Sequence, residues 1–126
     1  MTSSSTEKIF DLEERTYQFA HRVRALVKRM PKTIGNFEDG KQLVRSSGSV
    51  GSNYIEANEP LGEKDFLIHM KISRKEAKES RYWLRLLDLS PDLEADRRNL
   101  AQEALELMHI FNAIIRKRSA GLRNVQ

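Results

Sequence analysis

Cysteine is missing from all 126 positions. That excludes a disulfide framework, a thiolate zinc site and a cysteine nucleophile, and it fits a reducing compartment without requiring one. Proline occurs 3 times and glycine 6 times, too few for the many tight turns of an all-β chain. No apolar run approaches the roughly 18 residues of a membrane span, so no membrane partner is expected. Met1 to Thr6 have neither the apolar core nor the positive leader of a signal peptide, so the expected localisation is cytoplasmic. What the chain does have is charge. Asp, Glu, Lys and Arg make up 32% of it, above the usual figure of about 25%. The balance of 22 basic to 18 acidic residues leaves a net +4, which permits an anionic partner without requiring one. A chain that is 39% apolar at this length can bury one core, but not two. Composition stops at one charge-rich, helical domain.

Breakers at Pro31, at Asn58-Glu-Pro-Leu-Gly62 and at Asp88-Leu-Ser-Pro91 divide the chain into four segments. In the first, Ile9, Leu12, Phe19, Val23, Leu26 and Met30 recur on one helical face. Ser4 with Glu7 reads as a capping box. Acids early in this segment and basic residues late complement a helix dipole. The third segment carries the stripe Phe66, Met70, Ser73, Ala77, Ser80, Leu84 and Leu87, and the fourth Leu100, Ala104, Leu107, Phe111 and Ile114. The second is harder, because positions 46–52 hold two glycines and four serines. Each interior glycine costs about 1 kcal/mol against alanine. Leu43, Val50, Tyr54 and Ala57 nevertheless keep helical spacing, so the segment reads as a helix whose small residues let a neighbour approach closely. The expected architecture is all-α, an antiparallel up-down four-helix bundle over residues 7–118. Its helices fall at about 8–30, 37–58, 63–88 and 92–118, between a disordered tail 1–6 and a flexible tail 119–126.

Gly48-Ser-Val-Gly51 lacks the Gly-Lys-Ser/Thr ending of a phosphate loop and the strands of a KH domain. Close helix packing accounts for it. A di-iron bundle needs two Glu-x-x-His pairs, whereas one is present, Glu106 to His109, with Glu106 falling opposite the core stripe. No serine sits in a nucleophile elbow. Neither enzymatic activity, metal nor cofactor is expected. Arg45, Asn53 and Glu56 on the second segment, with Glu76, Glu79 and Arg81 on the third, lie beside apolar positions. Charge in such places needs partners, so an inter-helix polar network is expected, with Arg45 or Arg81 on the glutamates and Asn53 on a backbone group or a glutamate. Two basic concentrations are candidates for binding nucleic acid: Arg22, Arg24, Lys28 and Arg29 on the first segment, and Lys71, Arg74, Lys75 and Lys78 on the third. Either would serve only if it stays positive after folding. Tyr82, Trp83 and Ile110 would be left half-covered on a lone bundle, so some of them are expected at a contact between copies.

Gln42 to Ala57, with its serine/glycine stretch and Asn-Tyr-x-Glu-Ala ending, Asp65-Phe66, and Lys78 to Leu87, with Glu-x-Arg-Tyr-Trp-Leu, form specific motifs. With Ile9-Phe-Asp-Leu-Glu and Phe19-Ala20, they make the chain resemble the bacterial four-helix-bundle proteins related to the 23S ribosomal RNA intervening-sequence protein over residues 9–118. A similar bundle is the accessory variability protein of diversity-generating retroelements, a basic pentamer that binds nucleic acid and a reverse transcriptase. The resemblance implies an up-down bundle assembled as a ring-like homopentamer, and it makes RNA or DNA the expected partner. It brings no catalytic residue set, only matching positions such as Arg45, Asn53, Glu56, Glu79, Arg81 and Trp83. The alternatives are a scaffold for a protein partner and, behind it, a metal- or small-ligand-binding bundle.

Overall fold

A computed structural model describes residues 11–125. Among them are four α-helices and no strand: α1, Leu12–Arg29; α2, Ile34–Ala57; α3, Glu63–Leu86; and α4, Glu94–Val125, entered through a 3-10 turn at Pro91–Leu93. The helices pack in chain order, α1 on α2, α2 on α3, α3 on α4, with α4 closing back on α1. Short connections make consecutive helices antiparallel. The expected bundle is the one observed.

The helix ends differ from the sequence reading in instructive ways. α1 starts at Leu12 because Asp11 caps it, its carboxylate accepting from the amides of Glu13 at 3.0 Å and Glu14 at 3.3 Å. Ser4, Glu7, Ile9 and the 1–6 tail lie outside the described residues. α2 begins at Ile34, three residues before the expected start, because the Thr33 hydroxyl accepts from the Asn36 amide at 3.1 Å. α3 stops at Leu86, two residues short of the reading, where Leu87 turns extended. At the other end, α4 continues to Val125, so residues 119–125 are helical rather than a tail. No proline interrupts residues 119–125, and Ala120, Leu122 and Arg123 are strong helix formers that outweigh Gly121.

The serine/glycine stretch is helical throughout. Ser46, Ser47, Val50 and Gly51 are buried, and the two serine hydroxyls are satisfied within or between helices. Ser46 and Ser80 share a hydrogen bond of 2.8 Å, while Ser73 donates to the Val50 carbonyl at 2.9 Å. Gly62 takes the positive φ (129°) that turns α2 into α3. One register detail changes: Ile115 rather than Ile114 occupies the last core position of α4. A straight helix of 3.6 residues per turn drifts away from a strict 3.5 repeat.

Candidate nucleic-acid interface

α3 carries the candidate site because of how its two sides are charged. Lys71, Lys75 and Lys78 lie at spacings of four and three on its solvent face, with Arg74 beside them toward α4. The acids of the same helix are drawn elsewhere. Glu76 and Glu79 turn to α2, where Arg45 meets them at 3.3 and 2.5 Å. The Trp83 indole N–H also points to Glu79, at 3.5 Å. Glu63 pairs with Arg118 on α4 at 2.7 Å. Asp65 accepts from the Leu61 amide and lies 3.5 Å from His69. Among the described residues, no carboxylate lies within 4.0 Å of Lys71, Arg74, Lys75 or Lys78.

α4 completes the site. Arg74 donates to the Asn112 side-chain oxygen at 2.9 Å, which fixes its guanidinium at the edge of a cleft of about 640 Å³. Ile72 and Met108 give the cleft an apolar part, and His109 and Asn112 add polar groups beside the four cations. Such a cleft suits a polyanion that also offers flat apolar surface. Sequence reasoning found the cations but missed the α4 contribution, since nothing local to residues 108–112 marks them as neighbours of residues 71–78.

The other basic concentration is not one patch. Arg29 is turned to Asp96 at 3.1 Å and Asp92 at 3.8 Å, and Arg22 lies by the same seam with α4. Arg24 faces α2 near Gly48 and donates to the Ala20 carbonyl at 3.4 Å. Lys28 is exposed. A reversal of about 200° between residues 22 and 24 separates these charges around the helix, so the expected α1 cluster is corrected to two edges.

The polar network is realised in part. Arg45 bridges Glu76 and Glu79, and the Glu76 hydrogen bond chiefly holds its guanidinium pKa above the usual value. Its side chain is half exposed, so this is a rim pair rather than a buried one. Asn53 donates within its own helix, to the Ser49 carbonyl at 3.0 Å. Glu56 is exposed, and neither it nor Arg81 joins the network. The deepest ion pair was not foreseen. Arg15, buried on α1, donates to Glu103 on α4 at 2.7 and 2.9 Å and to Glu106 at 2.9 Å. Hydrogen bonding to Glu103 raises its pKa against the opposing effect of burial. Glu106, read as falling opposite the core stripe, is half-buried and engaged. Among the described residues no three metal-ligating side chains gather, and no helix is long and apolar enough to cross a membrane.

A second surface is apolar. Ile34 is 87% exposed and Phe37 64%, at a cleft of about 950 Å³ between the end of α1 and the first half of α2, which Val27, Met30 and Val44 also line. Tyr82 is exposed, whereas Trp83 and Ile110 are half-buried.

The family model for the 23S rRNA-intervening sequence protein matches residues 9–113. Among solved structures, the chain is similar to a protein of unknown function from the S23 ribosomal protein family of Bacteroides thetaiotaomicron. The two are 26% identical with a TM-score of 0.70, over 82% of this chain and 97% of that one. No curated protein matches the chain.

Proposed function

The chain belongs to the 23S rRNA-intervening sequence protein family, and on that premise we propose that it is a non-enzymatic, self-assembling bundle that binds RNA or DNA through the α3/α4 basic cleft. One observation carries this reading: folding leaves Lys71, Arg74, Lys75 and Lys78 together, while Glu63, Glu76 and Glu79 pair with arginines of neighbouring helices and Asp65 is held at its own helix start. Cations released from such pairing displace counterions from a phosphate backbone, which makes binding steeply salt-dependent. Assembly multiplies the effect, since a ring of five copies would carry about +20 in place of +4. The exposed Ile34 and Phe37 support the self-assembly, because large apolar side chains gathered at a cleft mark protein contacts. The same cleft is what favours the second reading, a scaffold for a different protein.

The test is fluorescence anisotropy with labelled RNA and DNA at two salt concentrations. Lys71→Glu/Lys75→Glu/Lys78→Glu should abolish binding, and replacing the three by Ala should shallow the plot of log affinity against log salt by roughly 2 to 3. Arg22→Glu/Arg24→Glu/Lys28→Glu should retain most of the affinity. Equal loss in both reversals would remove the α3 site, and no binding at low salt would remove the function.

A further inference from the structure

The lysines on α3 are bracketed by apolar side chains on the same line. Positions 68, 71, 75, 78 and 82 follow at spacings of three and four, so Ile68, Lys71, Lys75, Lys78 and Tyr82 share one seam. Ile68 is 57% exposed and Tyr82 55%. Lys71 to Tyr82 spans about 16 Å along the axis. The Tyr82 ring is braced by the edge of Trp83, with centroids 5.0 Å apart and planes at 76°. Trp83 packs in turn against the core. Tyr82 is thus an orientated aromatic ring with surface left to offer, one helical turn beyond the last lysine.

We infer that this seam takes single-stranded nucleic acid, the lysines following one phosphate backbone while a base stacks on Tyr82. The inference rests on the assignment of the cleft to nucleic acid and narrows it. A duplex keeps its base faces stacked inside, so Ile68 and Tyr82 would meet phosphates and gain nothing from their exposure. A single strand presents what the seam can use, namely one line of phosphates and unstacked π-faces. The position of α3 points the same way. It is flanked by α2 on one side and α4 on the other, so it offers a flat row rather than a free helix that can enter a duplex groove. Stacking is tolerant of base identity, so the preference is for strandedness and not for sequence.

The experiment compares three labelled 20-mers, a single-stranded RNA, a single-stranded DNA and the duplex of the same sequence, with the full chain and its Tyr82→Ala and Tyr82→Phe variants. The unaltered chain should bind either single strand more tightly than the duplex. Tyr82→Ala should weaken single-strand binding about tenfold and leave duplex binding unchanged, and Tyr82→Phe should retain affinity. Circular dichroism melting and light scattering accompany each variant. Equal affinity for single strands and duplex, an unaffected Tyr82→Ala variant, or a change of oligomeric state in Tyr82→Ala would overturn the inference. So would polyglutamate that binds as tightly as a single strand of matched charge. Any of these results can occur while the lysine reversals still abolish binding, so the broader assignment fails or survives separately.

Discussion

At the position of Gly51, a Cβ would lie 2.8 Å from the Thr16 hydroxyl oxygen and 3.2 Å from its Cβ. Thr16 has little room to yield, because it is buried and its hydroxyl is placed on the Leu12 and Glu13 carbonyls at 2.7 and 3.1 Å. Gly48, three residues earlier, has its nearest neighbour at 3.6 Å, the end of Arg24. The two glycines should therefore respond oppositely. Gly51→Ala is expected to cost about 1–3 kcal/mol through overpacking, and Gly48→Ala to gain up to about 1 kcal/mol of helix propensity. Urea unfolding of both variants checks this, and similar shifts in both would remove close approach as the reason for Gly51. The helical spacing around residues 46–52 showed that small residues were wanted there. It could not separate the glycine that Thr16 of α1 crowds from the one that leaves room for a Cβ, because that depends on where α1 crosses.

Helix ends show the same division between local and long-range causes. Asp11 and Thr33 are short-range caps of a kind that sequence can announce. The end of α3 is closed from a distance. Arg97, in the first turns of α4, donates to the carbonyls of Leu84 and Arg85 at 3.3 Å and to that of Leu87, satisfying groups the helix leaves unpaired. Glu94 holds the same guanidinium, and that hydrogen bond keeps its carboxyl below the usual carboxylate range. A depressed folded-state pKa stabilises the fold above the unfolded value of about 4.3 and ceases to do so as pH falls through the folded value. Glu94→Gln should therefore melt below the unaltered chain at pH 7, with the gap closing as the pH drops below about 4. Thermal melts of both proteins across that range measure it, and a gap independent of pH would exclude the ionised carboxylate as its cause. Asn36 joins two turns in a similar way, donating to the Pro31 and Asp88 carbonyls and accepting from the Asp88 amide, each at 2.8 Å. Its helix gave no hint of this, since the partner lies 52 residues away.

For the molecule as a whole, the apolar stripes accounted for the core and left surface chemistry open. Some of Tyr82, Trp83 and Ile110 were expected at a contact between copies. A further exposed apolar cluster is Ile34 and Phe37, at the cleft between the end of α1 and the first half of α2. Light scattering at micromolar concentration should report a mass well above 14.6 kDa. Phe37→Glu should lower it toward the monomer, because it replaces the exposed ring under Lys41 with a hydrated carboxylate that must be desolvated before the surfaces can meet. A monomeric unaltered chain would contradict self-assembly, and an undisturbed Phe37→Glu assembly would move the contact elsewhere.

Periodicity and breakers by themselves determined the all-α class, the number of helices, their approximate ends and nearly every core position, since burying an apolar stripe leaves each helix one way to face. The motifs over 42–57 and 78–87 identified the family. Only the tertiary structure decided which charges remain free. An exposed Lys, Arg or Glu satisfies the amphipathic pattern equally well on either flank of its helix, so the pattern is silent on pairing. Pairing follows from helix rotation and register, which set Arg45 opposite Glu76 and Glu79, Arg118 opposite Glu63, and Arg15 opposite Glu103. What those pairs consume on two sides of α3 is what leaves Lys71, Arg74, Lys75 and Lys78 positive on the third.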